Sequence, residues 1–285
     1  MDWSAVGWIA AISAASFLGG VVGSISGLGG GIVIVPVLTI FFHIPIQQAI
    51  AISQVSIIAV SSGAGSVYVK EHITNVRAAM FLELATASGA IIGAALVSRY
   101  LSAQVLSLLF GLALLASLVP MVVRFGEELP QNVQSDWLAR FLKLDGSYFD
   151  KGLGREVYYK VGRVPPAMVI MFIAGVLASL LGIGAGALKV LGLEMALRLP
   201  TRVATATSNF MIGVTAVAAA GIYLLRGNLV LPFVVAPSAI FVLLGAVIGT
   251  KIINRMTNSA IRKFFALLLG IIGIQMLLKG MNIQW

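Results

Sequence analysis

Long apolar stretches alternate with short polar segments along the whole chain. Stretches 105–123 and 264–278 approach the roughly 20 residues that carry a helix across a ~30 Å hydrocarbon layer. Several others match them, which is more than one signal peptide would explain. We expect the first stretch, 5–25, to be retained structure, because only Asp2 and no basic leader precedes it. The pattern predicts an all-α integral membrane protein.

Composition supports this prediction. The chain is 59% hydrophobic and 10% charged, with a mean hydropathy of +1.03, outside the usual range of soluble domains. A formal net charge of +9 would suggest nucleic acid as the partner of a soluble protein. Here the basic residues flank predicted spans, where they set topology. We therefore expect membrane lipid, and no nucleic acid, around this chain.

The chain lacks the residues of several common reactive sites. It has no cysteine, which excludes disulfides and thiolate sites. It has only two histidines, His43 and His72, so a histidine metal centre or a catalytic triad is not expected. It also lacks a Gly-Lys-Ser/Thr phosphate loop. An intramembrane enzyme or an ATP-driven pump is therefore disfavoured, and neither a cofactor nor a metal is expected.

The two halves of the chain repeat one pattern in a constant register. The ungapped matches pair Gly20 with Gly175, Val21 with Val176, Ser24 with Ser179, Gly27 with Gly182, Gly29 with Gly184, Gly31 with Gly186, Pro45 with Pro200, Ala49 with Ala204, Ala51 with Ala206, Ser53 with Ser208, Ile57 with Ile212 and Tyr68 with Tyr223. After one inserted residue, Gly89, Gly93 and Arg99 match Gly245, Gly249 and Arg255. The chain is thus predicted to contain an internal duplication.

This duplication divides the chain into a first transmembrane repeat, 1–123, a polar linker, 124–163, and a second repeat, 164–285. Each repeat begins with a Gly-interrupted segment, 5–42 or 164–199. Three predicted spans follow in each repeat: 46–69, 78–98 and 103–123, then 201–225, 229–250 and 260–279. Within the linker, a short helix capped by Ser135 is predicted from Trp137, Leu138, Phe141, Leu142 and Leu144, lying either at the membrane interface or in an ordinary cytoplasmic linker.

Basic residues distinguish two topologies, because short cytoplasmic loops are rich in Lys and Arg. If the Gly-interrupted segments cross the membrane fully, the basic residues divide weakly between its sides. If each segment instead turns back at its glycines, the inner side takes all of them except Arg99, Arg226, Lys279 and the intramembrane Lys189. The second topology is preferred. It predicts inverted repeats with re-entrant hairpins, a cytoplasmic linker and periplasmic termini.

The Gly-rich breaks have the features of an anion site. Unwound backbone at membrane depth needs polar partners or a watery cavity, and a half-helix that starts after a break presents free N–H groups. The predicted backbone donors are Gly29, Gly30 and Gly31 in the first break and Gly184, Ala185 and Gly186 in the second. Close packing is the alternative, since Gly19, Gly23, Gly27 and Gly31 also form a small-residue ridge.

Lys189 follows the second break by one turn, where the first repeat has Ile34. An intramembrane cation costs roughly 2.5 to 3.5 kcal/mol, so a bound anion is one explanation for it. The alternatives are an ion pair with Glu83 or Glu194, or a side chain that reaches the interface. Glu83 is itself a candidate proton-coupling carboxylate, unless it pairs with Arg77.

Two equivalent polar pairs complete the predicted site. Ser53 and Gln54 occupy the positions of Ser208 and Asn209, early in the spans that follow the hairpins. Their hydroxyl and amide groups could bind an oxyanion, or they could hold helices together by hydrogen bonds.

Several of these motifs together resemble the sulfite exporter TauE/SafE family, also called the TSUP family. The similar features are the duplication, the Gly27–Gly31 stretch followed by Pro36, the Ala-x-Ala-x-Ser pattern between Pro45 and Ser53, and the Gly182–Gly186 version of the break. The resemblance covers nearly the whole chain. It implies transport of sulfite, thiosulfate or a small organosulfonate such as sulfoacetate across the bacterial inner membrane.

The sequence therefore predicts a secondary transporter that exports a small sulfur-containing anion and works by rocking one repeat against the other. An anion channel and an importer of thiosulfate or another small anion are the alternatives. A structural scaffold is disfavoured, because it would not require a lysine at membrane depth. The sequence does not set the oligomeric state.

Overall fold

The computed structural model describes residues 3–26, 29–116, 118, 130, 133–150, 154–228, 232–252 and 258–282. The predictions for Gly27, for 119–123 and for most of 124–132 lie outside these residues. In the first half, the helices are α1 Trp3–Ser26, α2 Gly31–Ile40, α3 Ile46–Lys70, α4 Val76–Tyr100 and α5 Ala103–Ala116. The linker contains α6 Trp137–Phe141 and strands β1 Gly146–Asp150 and β2 Arg155–Tyr159.

The second half follows the same order. Its helices are α7 Val164–Leu181, α8 Gly186–Leu191, a π-helical turn at Gly192–Ala196, α9 Thr201–Leu225, α10 Pro232–Ile252 and α11 Asn258–Gly280. Within the described part of the chain, six helices, α1, α3, α4, α7, α9 and α10, are long and apolar enough to cross a membrane. The prediction of an all-α integral membrane protein is confirmed for fold class. The predicted span 201–225 coincides with α9.

Both Gly-rich segments fold as helical hairpins. In the first, the ring of Trp8 near the start of α1 packs against the ring of Phe42 just after α2, with centroids 5.0 Å apart. In the second, the amide of Gly162 just before α7 donates to the carbonyl of Leu197 after the π-helical turn, at 3.2 Å. In each hairpin, the ends of the two arms that are distant from the Gly-rich break therefore lie close together.

The repeats pack against each other reciprocally. Helix α1 packs on α10 and α7 on α4, while α3 packs on α9 and α5 on α11. Gly20 in α1 lies so close to the carbonyl of Val242 that a Cβ would overlap it. Its counterpart Gly175 in α7 lies in the same way against the carbonyl of Thr86. Small residues permit this close helix approach where lipid supplies no hydrophobic driving force.

A second pair of glycines repeats this equivalence. Gly249 in α10 faces the hydroxyl of Ser24, and Gly93 in α4 faces that of Ser179. Both serines also hydrogen-bond to their own helix, each to the carbonyl three residues earlier at 3.0 Å. Equivalent residues therefore make equivalent contacts, whereas the inverted orientation of the repeats in a membrane remains a prediction.

The linker is more structured than the sequence analysis expected. Its helix α6 forms, but Asp136 caps it, accepting from the amide of Ala139 at 2.8 Å, so the prediction of Ser135 as the cap is wrong. The Ser135 hydroxyl donates instead to Asp145 at 2.9 Å. Asp136 is preferred because its second carboxylate oxygen also accepts from the amide of Val164, at 2.9 Å, and so joins α6 to the start of α7.

The β-hairpin of the linker was missed by the sequence analysis. Strands β1 and β2 pair antiparallel, with Gly146 opposite Tyr159 and Asp150 opposite Arg155. Aromatic and β-branched residues on both sides of a Gly-containing turn were the available signal. Asp150 forms an ion pair with Arg202 at the start of α9, at 3.1 Å, which fixes the hairpin to the second repeat.

Asn75 joins the linker to the helices. Its side chain caps α4 by accepting from the amide of Ala78 at 3.0 Å, and its amide nitrogen donates to the carbonyl of Leu144 at 2.7 Å. The same nitrogen lies 3.2 Å from the hydroxyl oxygen of Tyr159. Burial raises the pKa of Tyr159 to about 12, because the phenolate form loses hydration.

Candidate functional site

The two Gly-rich breaks meet inside the protein. Gly31, the first residue of α2, lies against the carbonyl of Gly182 so closely that a Cβ would overlap it. The hydroxyl of Ser53 donates to that carbonyl. Backbone at Gly29, Gly182 and Gly184 has φ of 83°, 66° and 71°, which glycine adopts without steric cost. The breaks therefore depend on glycine both for conformation and for close approach.

Ala185 also adopts the left-handed conformation, with φ of 47°. An L-residue pays a steric cost there, and backbone strain of this kind concentrates at ligand sites and switch regions. Gly186 follows as the first residue of α8, and its carbonyl accepts from the hydroxyl of Ser208 at 3.3 Å. This contact ties the second break to α9.

The other predicted polar residues are buried and form hydrogen bonds within the protein. The amide nitrogen of Gln54 donates to the carbonyl of Ala178 at 3.0 Å, linking α3 to α7. The amide nitrogen of Asn209 donates to the carbonyl of Thr205 in its own helix, also at 3.0 Å. Ser53, Gln54 and Ser208 thus hold helices and breaks together, as the alternative interpretation proposed. Their contact with substrate remains a prediction.

Lys189 is fully buried and belongs to a polar chain of three side chains. Its ammonium donates to the hydroxyl of Thr215 on α9. That hydroxyl has two acceptors for its single proton, Glu83 Oε1 at 2.6 Å and the carbonyl of Met211 at 2.9 Å. Glu83, on α4, is 7% exposed. Lys189 therefore reaches Glu83 through the Thr215 hydroxyl, and these three residues are called the Lys–Thr–Glu chain below.

The other partners considered for these charges are engaged elsewhere. Arg77 donates to the carbonyl of Lys143 at 3.1 Å, in the linker, and makes no ion pair with Glu83, on which Lys189 is the charged group that acts. Glu194, the other acid considered for Lys189, is hydrogen-bonded to Thr201. The alternative of a Lys189 side chain reaching the interface is wrong, because no part of the residue is exposed.

Within the described residues, the Lys–Thr–Glu chain contains hydrogen-bond donors and an acceptor that are not used. A lysine ammonium carries three N–H donors, and among the described residues it has one hydrogen-bond acceptor, the Thr215 hydroxyl. Glu83 Oε2 is buried and makes no hydrogen bond within the same described part of the chain; the hydroxyl of Thr86, one turn along α4, lies near this carboxylate but donates to the backbone carbonyl of Glu83 at 3.2 Å. Buried polar groups are almost always satisfied, so unused donors and an unused acceptor at one place indicate a binding position for a polar species.

Comparison with known proteins identifies the family. The model of the family described as "Sulfite exporter TauE/SafE" matches residues 12–276. The chain belongs to this family. It is 27% identical to the probable membrane transporter protein YunE of Bacillus subtilis, over 92% of this chain and 95% of that protein. It is 24% identical to a probable membrane transporter protein of Methanocaldococcus jannaschii, over 92% of each chain. No solved structure matches significantly.

Family membership confirms the resemblance drawn from the glycine motifs. The chain is a membrane transporter of a family associated with sulfur anions. Among the described residues, groups of three or more acidic or histidine side chains placed to hold a metal ion are absent.

The structure brings predicted site residues together in two groups, while Gln54, Ser208 and Asn209 form the separate contacts given above. The first joins Gly31, Ser53 and Gly182 where the breaks meet. The second is the Lys–Thr–Glu chain. Thr215 was missed by the sequence analysis. The available signal was its position two turns after Ser208, on the same face of α9.

Proposed function

We propose that this chain is a secondary transporter that exports sulfite or an organosulfonate such as sulfoacetate across the bacterial inner membrane, with Lys189 as the cationic residue of the substrate site. One observation carries the proposal: Lys189 is fully buried next to the second break, and its ammonium has one acceptor among the described residues. An oxyanion would accept from its remaining N–H groups and add negative charge where the protein supplies a single carboxylate.

Energetics favour this interpretation over a purely structural lysine. A cation inside a membrane costs roughly 2.5 to 3.5 kcal/mol, and such residues usually mark substrate or ion pathways. A membrane that is negative inside also favours expulsion of an anion by about 2.3 kcal/mol per charge per 100 mV. A buried cation that receives anions from the cytoplasm is therefore compatible with export.

The remaining predicted ligands would line the same pathway. Backbone groups at Gly29–Gly31 and at Gly184–Gly186 would donate N–H groups to the anion, and the side chains of Ser53, Gln54, Ser208 and Asn209 would complete the lining. For this to occur, the serine and amide hydrogen bonds described above would open or be shared with the substrate. Substrate binding would thereby be coupled to separation of the two breaks.

Alternating access would follow from the duplicated architecture. We infer that the repeats have opposite orientations, so that the first hairpin opens to the periplasm and the second to the cytoplasm. Two contacts support this. Lys279, assigned to the outer side by the positive-inside pattern, donates to the carbonyl of Thr39 in the first hairpin. The linker, assigned to the inner side, contacts the second hairpin through Gly162 and Leu197.

The test is uptake of radiolabelled sulfite and sulfoacetate into proteoliposomes by the native chain and by Lys189→Ala. Loss of a charge-assisted hydrogen bond, about 1.5 to 3 kcal/mol, corresponds to a decrease of roughly ten- to hundredfold in uptake at low substrate. Lys160→Ala, an exposed linker lysine, is the matched control and should retain native uptake. Native uptake in Lys189→Ala would remove Lys189 from the site.

The same vesicles separate this proposal from its rivals. Unlabelled substrate inside the vesicles should accelerate uptake of label, because a carrier exchanges substrate whereas a channel does not. Labelled thiosulfate should compete with sulfoacetate if the site accepts sulfur oxyanions broadly. If the native chain transports none of the three anions, the substrate class is wrong.

A further inference from the structure

The Lys–Thr–Glu chain gives the buried lysine an internal counter-anion. Thr215 accepts from the Lys189 ammonium and donates to Glu83 Oε1 at 2.6 Å, so the positive and negative groups share one hydroxyl. The second carboxylate oxygen, Oε2, is buried without a hydrogen-bond partner in the described residues. Glu83 therefore occupies the electrostatic role that a substrate anion would take at Lys189.

We propose that Glu83 takes up one proton when a substrate anion binds Lys189, so that the transporter moves one proton together with each anion. The inference rests on the function proposed above and adds its coupling ion. Without substrate, the Glu83 carboxylate balances the lysine. With substrate, neutral Glu83 leaves the lysine to the anion.

Charge balance is the physical reason. Binding of an anion beside an ionised Glu83 would place two or more negative charges around one cation in a water-poor interior, where like charges repel strongly. Adding a proton to Glu83 removes this repulsion. The step is a simple protonation: a proton from water on one side binds a carboxylate oxygen, and after reorientation it leaves to water on the other side.

The geometry accommodates this proton without loss of an existing contact. Oε1 can keep its hydrogen bond from Thr215, because a carboxylic acid retains an acceptor oxygen. Oε2 can take the proton, and as an O–H it becomes a donor to a substrate oxygen or to water. The oxygen that now lacks a partner would thus gain one when the site is occupied.

Lys189 is the charged group that acts on Glu83 from the surrounding helices. Helix α7 has no ionisable side chain within Val164–Leu181. The ionisable residues on the other neighbouring elements, and on α4 itself, lie towards helix ends or are paired: Tyr68 and Lys70 on α3, Arg77, Arg99 and Tyr100 on α4, Glu194 in the π-helical turn, and Arg202 and Tyr223 on α9. Tyr223 donates to the carbonyl of Ser179 at 2.8 Å, and Arg202 pairs with Asp150. The proton is therefore assigned to Glu83.

Coupling changes the charge that the transporter moves. One proton cancels one negative charge, so a monovalent sulfonate would cross without net charge and a dianion such as sulfoacetate would carry one net negative charge. Export of a dianion would still be favoured by a negative-inside potential, though less strongly than without the proton.

The test measures proton and anion movement in the same proteoliposomes. Vesicles contain a pH-sensitive dye, the membrane potential is clamped at zero, and an inward gradient of sulfoacetate, or of thiosulfate if sulfoacetate is not carried, is applied near pH 7.5. Sulfite is avoided because it binds protons itself in this range. The native chain should acidify the lumen by about one proton per anion taken up.

Glu83→Gln is the decisive variant, because glutamine resembles the protonated acid in shape and charge. It should take up the anion without acidifying the lumen, because it has no carboxylate to accept the proton. Its rate should also stay constant between pH 6.5 and 8.5, whereas the native rate should fall as pH rises. Glu194→Gln replaces an acid of the second hairpin that does not belong to the Lys–Thr–Glu chain. This control variant should still acidify the lumen as the native protein does.

Thr215 variants provide an independent readout. Thr215→Val removes the shared hydroxyl at nearly constant volume and should lower the ratio of protons to anions at least threefold, and Thr215→Ser should restore it. Anion uptake by the native chain without acidification, or acidification retained in Glu83→Gln, would overturn the coupling inference alone. Absence of anion uptake by the native chain would instead overturn the proposed function.

Discussion

The two repeats make equivalent packing contacts, but they differ in chemistry around Lys189. In the second repeat, Lys189 and Thr215 face Glu83 of the first. The residues at the corresponding positions are Ile34, Val60 and Ala239. Ile34 and Val60 are buried, and Ala239 is half-buried. The Lys–Thr–Glu chain thus occupies one set of positions, and apolar residues occupy the equivalent positions of the sequence register.

This difference shows which features the duplication preserved. Glycine contacts such as Gly20 with Val242 and Gly175 with Thr86 occur in both repeats because both need close helix packing. Burying a lysine and a glutamate is expensive, and a second copy would add that cost again. One polar chain per molecule would be sufficient for the one anion and one proton that we propose.

The largest effect is expected when a residue of the Lys–Thr–Glu chain is replaced by the apolar residue found at the equivalent position of the other repeat. Lys189→Ile should reduce anion uptake at least tenfold and destabilise the protein by about 3 to 5 kcal/mol, because Glu83 stays buried without its cation. The double variant Lys189→Ile/Glu83→Ala should recover most of the stability and remain inactive. Uptake assays and thermal unfolding in detergent measure the two effects. If the single and the double variant were equally stable, the buried Glu83 carboxylate would not need the Lys189 ammonium to balance its charge.

Next in size is the effect of breaking the glycine packing that the repeats share. Gly20→Ala and Gly175→Ala should each destabilise by about 1 to 3 kcal/mol, because the new methyl group meets a backbone carbonyl that cannot move freely. Gly7 and Gly221 have open space around them, so Gly7→Ala and Gly221→Ala are matched controls. In the helix interior these should be neutral or stabilising by up to ~1 kcal/mol. Thermal unfolding followed by circular dichroism distinguishes the two sets of variants. Unequal losses of stability in Gly20→Ala and Gly175→Ala would contradict the equivalence of these two packing contacts.

A smaller effect separates the paired serines. Ser53 donates across the repeats to the carbonyl of Gly182, while Ser208 donates within its own repeat to the carbonyl of Gly186 at 3.3 Å, near the upper limit for a hydrogen bond. Ser53→Ala should therefore cost about 1 to 1.5 kcal/mol, and Ser208→Ala less than about 1 kcal/mol. Thermal unfolding of the two variants gives the comparison directly. A larger loss for Ser208→Ala would mean that the contact between the breaks contributes little.

The smallest effect on transport is expected in the linker, which has no counterpart in either repeat. The folded state raises the pKa of Tyr159 to about 12 from an ordinary value near 10. The buried neutral phenol therefore makes its full contribution to the free energy of unfolding below pH 10, and this contribution is lost as pH rises towards 12. Tyr159→Phe should lessen this alkaline loss and leave uptake at neutral pH unchanged. Thermal unfolding between pH 9 and 12 tests the first outcome, and the uptake assay tests the second.

Several parts of the fold were predictable because they rest on local pattern. The span 201–225 coincides with α9, and both Gly-rich segments form hairpins, since apolar length and glycine-rich sequence determine these features within a short window. The linker hairpin was missed because its strands are five residues long and lie in a polar, charged segment. The cap at Asp136 was misassigned because the amide of Val164, distant in sequence, favours that carboxylate.

The candidate site was predictable residue by residue but not as an arrangement. Lys189 and Glu83 were identified because charges are unusual in apolar spans, whereas Thr215 resembles other small polar residues of α9. Ser53 and Gln54 were recognised as a pair, but only the packed helices show that both contact the second hairpin region, at Gly182 and Ala178.

The sequence by itself determined that this is a helical membrane transporter whose two halves share one register of residues, with two Gly-rich breaks and one lysine within an apolar segment. These properties follow from hydrophobic length, internal register and the rarity of intramembrane charge. Only the tertiary structure decided that Lys189, Thr215 and Glu83 form one chain, and that the breaks meet at Gly31 and Gly182. The reason is physical: these contacts join helices from different parts of the chain, and helix packing across the repeats sets which side chains meet.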